Sequence, residues 1–432
     1  MNVASFPSAW PDLLLYFFPI FTTPTAEVFL RLMTGWVLCT ARHTVTGMLP
    51  FADPIGQRAH DAYHRFLAQA AWEVHALWRR LAGLLVQFFY SSGTILTDLD
   101  DTLFHHTGRK MEGAGWWRDA VRSTGQKVVH AWGLNLVILT LRVQPFWGGE
   151  PLGLPINLRL HRKQGPSLIE LAEAMLREVT EWFPQRQFLT AADGFYACLA
   201  GRGLSRLHLI SRIRRDAAIY DLPRRKAKGR RGPQAQKGAR LPTPEQWARK
   251  VRHWTRVQTC ERGKDRVRLV YARQVIWYHV SHQPVQLVLS RDPTGHEEDD
   301  FFFTTDLTMK PGEVIGHFSD RWCIEDTFKN TKQLLGGQQL QTWKHGGPER
   351  AAALSFWLYS LVWAWYLQQP RRRKISLRRR PWYPAKRRPS FADALAVLRW
   401  ALWPERIKSM FGKRTAHEQV TRFLIDALVL AA

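Results

Sequence analysis

Residues 127–143 constrain the fold more than any other stretch. Val128, Val129, Leu134, Leu136, Val137, Ile138, Leu139, Leu141 and Val143 fill it with apolar and β-branched side chains, almost without polar alternation. Such a run is a central strand buried on both faces, so the sheet around it needs cover on each side. A turn at Trp147-Gly148-Gly149 leads to residues 154–162, which alternate as a further strand. Ser167 caps a helix reaching about residue 183, with Leu168, Leu171, Met175 and Val179 along one face. Residues 187–193 form a short strand ended by Asp193, a helix starts at residues 195–199, and residues 207–213 give another strand. The class is α/β.

The chain has 432 residues and a net charge of +26, which favours a polyanionic partner, with DNA the simplest and an anionic membrane surface the competitor. Cys39, Cys198, Cys260 and Cys323 lie far apart without a CxxC pair, so neither a disulfide framework nor a zinc site is expected and a reducing cytoplasm fits. Pro11, Asp12, Pro19 and Pro24 break the apolar N-terminal run, against a signal peptide. Residues 351–369 carry no charge, but Ser355, Ser360 and Tyr366 and the solitary occurrence favour a buried helix over a membrane span. No membrane partner is expected.

Acids gather in two places. Residues 94–102 read as a short strand ended by Asp98, Asp100 and Asp101. Residues 311–336 read as one helix, begun near Pro311 and ended by Gly336-Gly337. At about 100° per residue, Phe318, Arg321, Glu325 and Lys332 fall within an arc of roughly 60°. A face of charges is either solvated with local ion pairs or built to hold a metal and phosphates.

The spacing Phe318-x2-Arg321-x3-Glu325-x6-Lys332 resembles the third catalytic block of DDE-type insertion-sequence transposases, with Phe where the family has Tyr. The resemblance implies a ribonuclease H-like core, a mixed five-stranded sheet with helices. It implies a catalytic, metal-binding triad of Asp100, Asp193 and Glu325, with Asp101 the alternative first acid. Asp100 is preferred because Asp-x-Thr is the more usual form. The triad would hold two Mg²⁺ or Mn²⁺ ions, which cut DNA at element ends and join the 3′-OH to target DNA. Arg321 and Lys332 would hold phosphates, and Phe318 lacks the hydroxyl that touches one in relatives. Synapsis of paired ends implies a homodimer, and the setting is a bacterial cytoplasm at the nucleoid.

The separation of Asp193 from Glu325 requires an insertion; residues 267–278 and 285–290 read as strands, and the resemblance implies that such an insertion is β-rich. The expected layout is helical DNA-binding residues 1–90, core 91–218, basic insertion 219–300, core 301–350 with the signature helix, and a helical region 351–432 with a basic loop. A helix-turn-helix or plain packing helices would serve the first region. Arg225, Lys226 and Arg230 in one basic loop, and Arg372 and Arg379 in another, are candidates for DNA backbone contacts. Trp254 and Trp277 are candidates for stacking on a base, or for packing.

Two rival readings stand beside this one. Asp98-Leu99-Asp100-Asp101-Thr102-Leu103 also resembles the nucleophile motif of haloacid-dehalogenase-like phosphatases, with Asp98 phosphorylated and Asp100 as acid/base. The later parts of that motif find no ordered match, since Asp299-Asp300 precedes the apolar Phe301–Phe303. A non-catalytic DNA-binding protein derived from a transposase is the third reading.

Overall fold

Helices α1 (Trp10–Leu15), α2 (Thr23–Leu38), α3 (Val45–Ala52), α4 (His60–Ala68) and α5 (Val74–Phe89) precede the sheet. The computed structural model describes residues 7–224, 233–369, 384, 386–411 and 425. Then come β1 (Ile95–His105), β2 (Gly115–Arg118), β3 (His130–Val143), β4 (Leu152–His161), α6 (Leu168–Trp182), β5 (Phe188–Ala192), a 3₁₀ helix at Gly194–Gly201 and β6 (Leu207–Arg212). After these follow α7 (Pro244–Lys250), β7 (Thr255–Glu261), β8 (Lys264–Val275), β9 (Val285–Arg291), β10 (Asp300–Thr304), α8 (Pro311–Asp320), α9 (Cys323–Gln333), α10 (Gly347–Gln368) and α11 (Phe391–Phe411).

The centre of the sheet runs β4-β3-β1-β5-β6, with β1 antiparallel to β3 and parallel to β5, and β5 parallel to β6. This is the ribonuclease H-like arrangement. The apolar run of β3 is buried from Gly133 to Val143, as a strand covered on both faces must be. Ser167 begins α6 with a reciprocal capping box to Glu170.

The insertion is not a separate β unit. β10 pairs antiparallel with both β6 and β9, so β7, β8 and β9 continue the same ten-stranded sheet. An open β6 edge would leave its backbone groups unpaired, and β10 satisfies them. The far edge at β7 is covered by α8. Gly312 and Gly316 let α8 close on it, and a Cβ at Gly316 would stand 2.8 Å from the Cys260 carbonyl oxygen.

Helix α10 is buried all round from Ala351 to Tyr366, which accounts for its lack of charge. Its rings pack on Phe17, Phe29 and Phe104. Among the described residues no helix is long and apolar enough to cross a membrane. The N-terminal helices share this core: the Trp36 indole donates to the Leu335 carbonyl at 2.7 Å, and the His43 amide to Gln339 Oε1 at 2.8 Å.

Candidate active site

Strand β1 does not stop at its acids. It continues to His105 opposite Gly133, so Asp98, Asp100 and Asp101 lie mid-strand rather than at its end. Leu103 and Phe104 prolong the alternation, which keeps the ladder going. Asp98, Asp100 and Thr102 share one face of the strand, and Asp101 points to the other.

Asp98 is 0% exposed. Arg142 of β3 grips it twice, with Nε 3.1 Å from Oδ2 and Nη2 on Oδ1. The Cys323 thiol adds a donor at 3.3 Å. Burial opposes the charge of Arg142, but the Asp98 carboxylate outweighs it and holds the guanidinium charged. A phosphoryl group has no way in, so Asp98 is a structural anchor and the phosphatase reading of the motif is overturned.

The other two β1 acids face polar partners. Arg321 Nη1 binds Asp100 Oδ2, and the Asp101 amide donates to Asp100 Oδ1 at 2.9 Å. Tyr196 Oη donates to Asp101 Oδ1 at 2.9 Å. Asp193 follows Ala192, which pairs with Leu99, so it leaves β5 beside Asp100. Its carboxylate caps the 3₁₀ helix, accepting from the Phe195 amide at 2.9 Å, and its carbonyl accepts from Ser211 Oγ. The capping role and the position of a second triad acid therefore coincide. Burial pushes Asp100 up to about 7, with Arg321 opposing and Asp193 and Asp101 adding to the rise. Burial likewise pushes Asp101 up to about 6, against the Tyr196 hydrogen bond, with Asp193 and Glu325 adding. Glu325 thus acts on Asp101 across the site.

The expected single helix over residues 311–336 is two. Between α8 and α9 the chain tightens into i→i−3 hydrogen bonds, from the Arg321 amide to Phe318 O at 3.3 Å and from the Trp322 amide to Ser319 O at 3.2 Å. A 3₁₀ turn advances faster around its axis than an α-helix, so the arc worked out for one continuous helix does not carry across the break. The Phe318 ring is buried against Phe302 at 4.9 Å. It has no polar atom for a phosphate and serves instead as a shelf, with the guanidiniums of Arg212 and Arg321 at 5.4 and 5.3 Å. Helix α9 is pinned across β1 and β4. Thr327 Oγ1 donates to Gly153 O at 2.7 Å, and Lys332 Nζ to Thr102 Oγ1 at 2.7 Å. Burial lowers the Lys332 pKa, while Glu325 and Asp119 oppose the shift.

A groove of about 420 Å³ opens beside the acids, lined among others by Asp193, Arg212, Arg262, Arg268, Arg321 and Trp322. Arg321 Nε is buried without a hydrogen-bond partner. The sequence did not single out Tyr196, Arg212, Arg262 or Trp322. Tyr196 stands one 3₁₀ turn after Asp193, the only local hint; the others come together through long-range pairing. Trp277 is 5% exposed and packs edge-on against Phe303 at 5.4 Å, so no base can stack on it. Trp254 is half-buried, with the Arg291 guanidinium over its ring at 4.4 Å. Arg225, Lys226, Arg230, Arg372 and Arg379 lie outside the described residues.

Among the described residues, no three Asp, Glu, His or Cys side chains form a ready cage for an ion. Asp100, Asp101 and Asp193 each have a protein partner in its place. The donor chemistry nevertheless fits a hard divalent cation: burial first, and then neighbouring carboxylates, push Asp100 and Asp101 up, and a bound cation would offset both causes.

Comparison with curated proteins gives no match. The family model for DDE superfamily endonucleases matches residues 16–284, a span that holds Asp100, Asp101 and Asp193 and ends before Glu325. With more than half of its length in that match, and a ribonuclease H-like sheet carrying the acids, the chain belongs to the DDE superfamily endonucleases.

Proposed function

We propose that the chain is the transposase of an insertion sequence, which cuts DNA at the element's ends and joins the freed 3′-OH to target DNA. One observation carries the reading. Asp193 leaves the parallel strand β5 next to the acids of β1, and both it and Glu325 of α9 act electrostatically on Asp101, which supports a shared site.

Asp100 or Asp101, with Asp193 and Glu325, would hold Mg²⁺ or Mn²⁺, two ions per site. The chemistry such ions would supply there is activation of a water and stabilisation of the leaving 3′ oxygen. Tyr196 holds the Asp101 carboxylate in place. Arg321, propped by Phe318, offers its guanidinium to a phosphate at the groove, and Lys332 offers a second cation beside Glu325. Arg212 and Arg262 extend the phosphate track away from the cut. Trp254 is kept as a stacking candidate, and the basic loops carrying Arg225, Lys226, Arg230, Arg372 and Arg379 as backbone contacts. Two copies would pair the element's ends, in the cytoplasm at the nucleoid.

The test is strand nicking of DNA bearing the element's ends, with purified protein and Mg²⁺. Wild type nicks; Glu325→Gln binds the same DNA and does not nick. Full nicking by Glu325→Gln, or in EDTA, removes the proposal. A wild type that binds but never cuts favours a non-catalytic derivative instead.

A further inference from the structure

Beyond the catalytic groove, at the C-terminal end of β1, lies a cluster of indole rings that the function above does not use. Trp116 of β2 is 48% exposed, and its ring meets Trp132 of β3 at 6.0 Å in an edge contact. The Arg109 guanidinium sits over both rings, at 4.8 Å from Trp116 and 5.0 Å from Trp132. Trp343, 42% exposed, lies against Gly108, where a Cβ would come to 3.4 Å from its ring. The loops are fixed: Trp132 Nε1 donates to Gly108 O at 3.0 Å, and the Glu112 amide to Trp343 O at 2.8 Å. Exposed Arg109, Lys110, Arg118 and Lys344 lie within two residues of these rings along the chain, or on Gly108's loop.

We infer that this platform binds an unpaired DNA strand, its bases stacked on Trp116 and Trp343 and its phosphates on the surrounding cations. The inference rests on the DNA-cutting reading of the neighbouring groove. Rigidly held ring faces recognise base faces, which a duplex hides within its own stack; cations without rings would suit a duplex equally well. A ring held between a guanidinium and solvent keeps one face free for such a partner. The location agrees. His105 ends β1 four residues beyond Asp101, about 13 Å along the strand, a few nucleotides from the cut. A strand opened at the groove would reach the platform.

The full chain in EDTA is titrated against a labelled oligothymidylate of about 15 nucleotides and a duplex of equal length, by fluorescence anisotropy. Trp116→Ala and Trp343→Ala should each weaken single-strand binding by about 5- to 150-fold, the range of one lost base stack, with duplex affinity nearly unchanged. Unchanged single-strand affinity overturns the inference. So does an equal loss for both DNAs, which would make the patch a backbone surface, or a wild-type dimer that the substitutions dissolve without touching single-strand affinity. A parallel nicking assay separates the two readings. Tryptophan-dependent single-strand binding in a protein that never nicks upholds the platform and removes the transposase. Nicking with tryptophan-independent binding does the reverse.

Discussion

Replacing Arg142 with methionine leaves the Asp98 carboxylate in a dry interior with little more than the Cys323 thiol for company. The two side chains of this pair are 4% and 0% exposed. Removing one member of a buried pair typically destabilises by about 3–5 kcal/mol, because the other charge is stranded. The stranded carboxylate can escape by taking up a proton. At pH 7 that costs an ordinary aspartate about 4 kcal/mol, and about 1.4 kcal/mol less for every unit the pH falls. The folded variant then holds a proton that its unfolded chain lacks, so its stability relative to wild type rises as the pH drops. His317 acts in the same direction. Its Nδ1 lies 3.2 Å from the Arg142 guanidinium, and burial first, then that cation, pushes it down to about 4. Losing Arg142 removes the second of these causes and moves the imidazole pKa back upward, with burial still opposing.

Urea unfolding followed by tryptophan fluorescence at pH 7 and pH 5, wild type against Arg142→Met, reads this directly. The deficit should be about 3–5 kcal/mol at pH 7 and smaller by roughly 2–3 kcal/mol at pH 5. The double variant Asp98→Leu/Arg142→Met should regain most of the loss, since an apolar pair of similar volume is often neutral. A deficit below about 1 kcal/mol, or one independent of pH, would refute the buried-anchor account. A nucleophilic Asp98 would instead lose phosphatase activity on conversion to Asn while keeping its stability.

Gly153→Ala places a Cβ 3.1 Å from Cys323 Sγ and 3.2 Å from Thr327 Oγ1, so α9 must shift by a few tenths of an ångström; nicking should fall more than the melting temperature, and equal losses would count against α9 as the carrier of Glu325. Trp277→Ala should destabilise by about 3–5 kcal/mol in urea as a core truncation, whereas Trp254→Ala should cost distinctly less. In EDTA between pH 6.5 and 8, the raised Asp100 gives the folded state a proton the unfolded chain has lost, so stability falls as the pH rises through about 7; Asp100→Asn should flatten that slope in urea midpoints, and an unaltered slope would contradict the assignment.

What could be read from the chain was whatever depends on neighbours in sequence. The apolar density of β3, the Ser167 capping box and the short strand before Asp193 are local signals, and each marks an element that forms. β7 was missed because it is a polar edge strand whose outer positions are exposed, leaving no apolar alternation to find. The joining of β10 to β6 depends on pairing across an insertion, which no local pattern records. The single signature helix failed for a subtler reason. Every residue from Phe318 to Glu325 suits a helix, but Arg321 is drawn to Asp100 and Cys323 to Asp98, and those contacts fall where the turn tightens. Trp277 was ambiguous because ring chemistry alone does not reveal which face of β8 and its following loop is covered.

Burial separates the arginines of this molecule into two kinds, which net charge alone cannot do. Arg142–Asp98 is dry, and exchanging Asp98 for a phosphate would mean opening the core. Arg212–Asp300, with side chains 56% and 42% exposed, and Arg262–Glu150, at 42% and 41%, are wet. Exposed pairs contribute only about 0–1 kcal/mol, so an arriving phosphate can displace either carboxylate at little cost. Those two arginines line or flank the groove, and the carboxylates that hold them in the free protein keep the guanidiniums extended and oriented. The excess of positive charge therefore acts through a few side chains whose partners are replaceable, while the buried pair beneath the site keeps Asp98 and Cys323 of α9 in register under the acids. The division between fixed and exchangeable ion pairs is what lets one sheet edge be both rigid and ready for a polyanion.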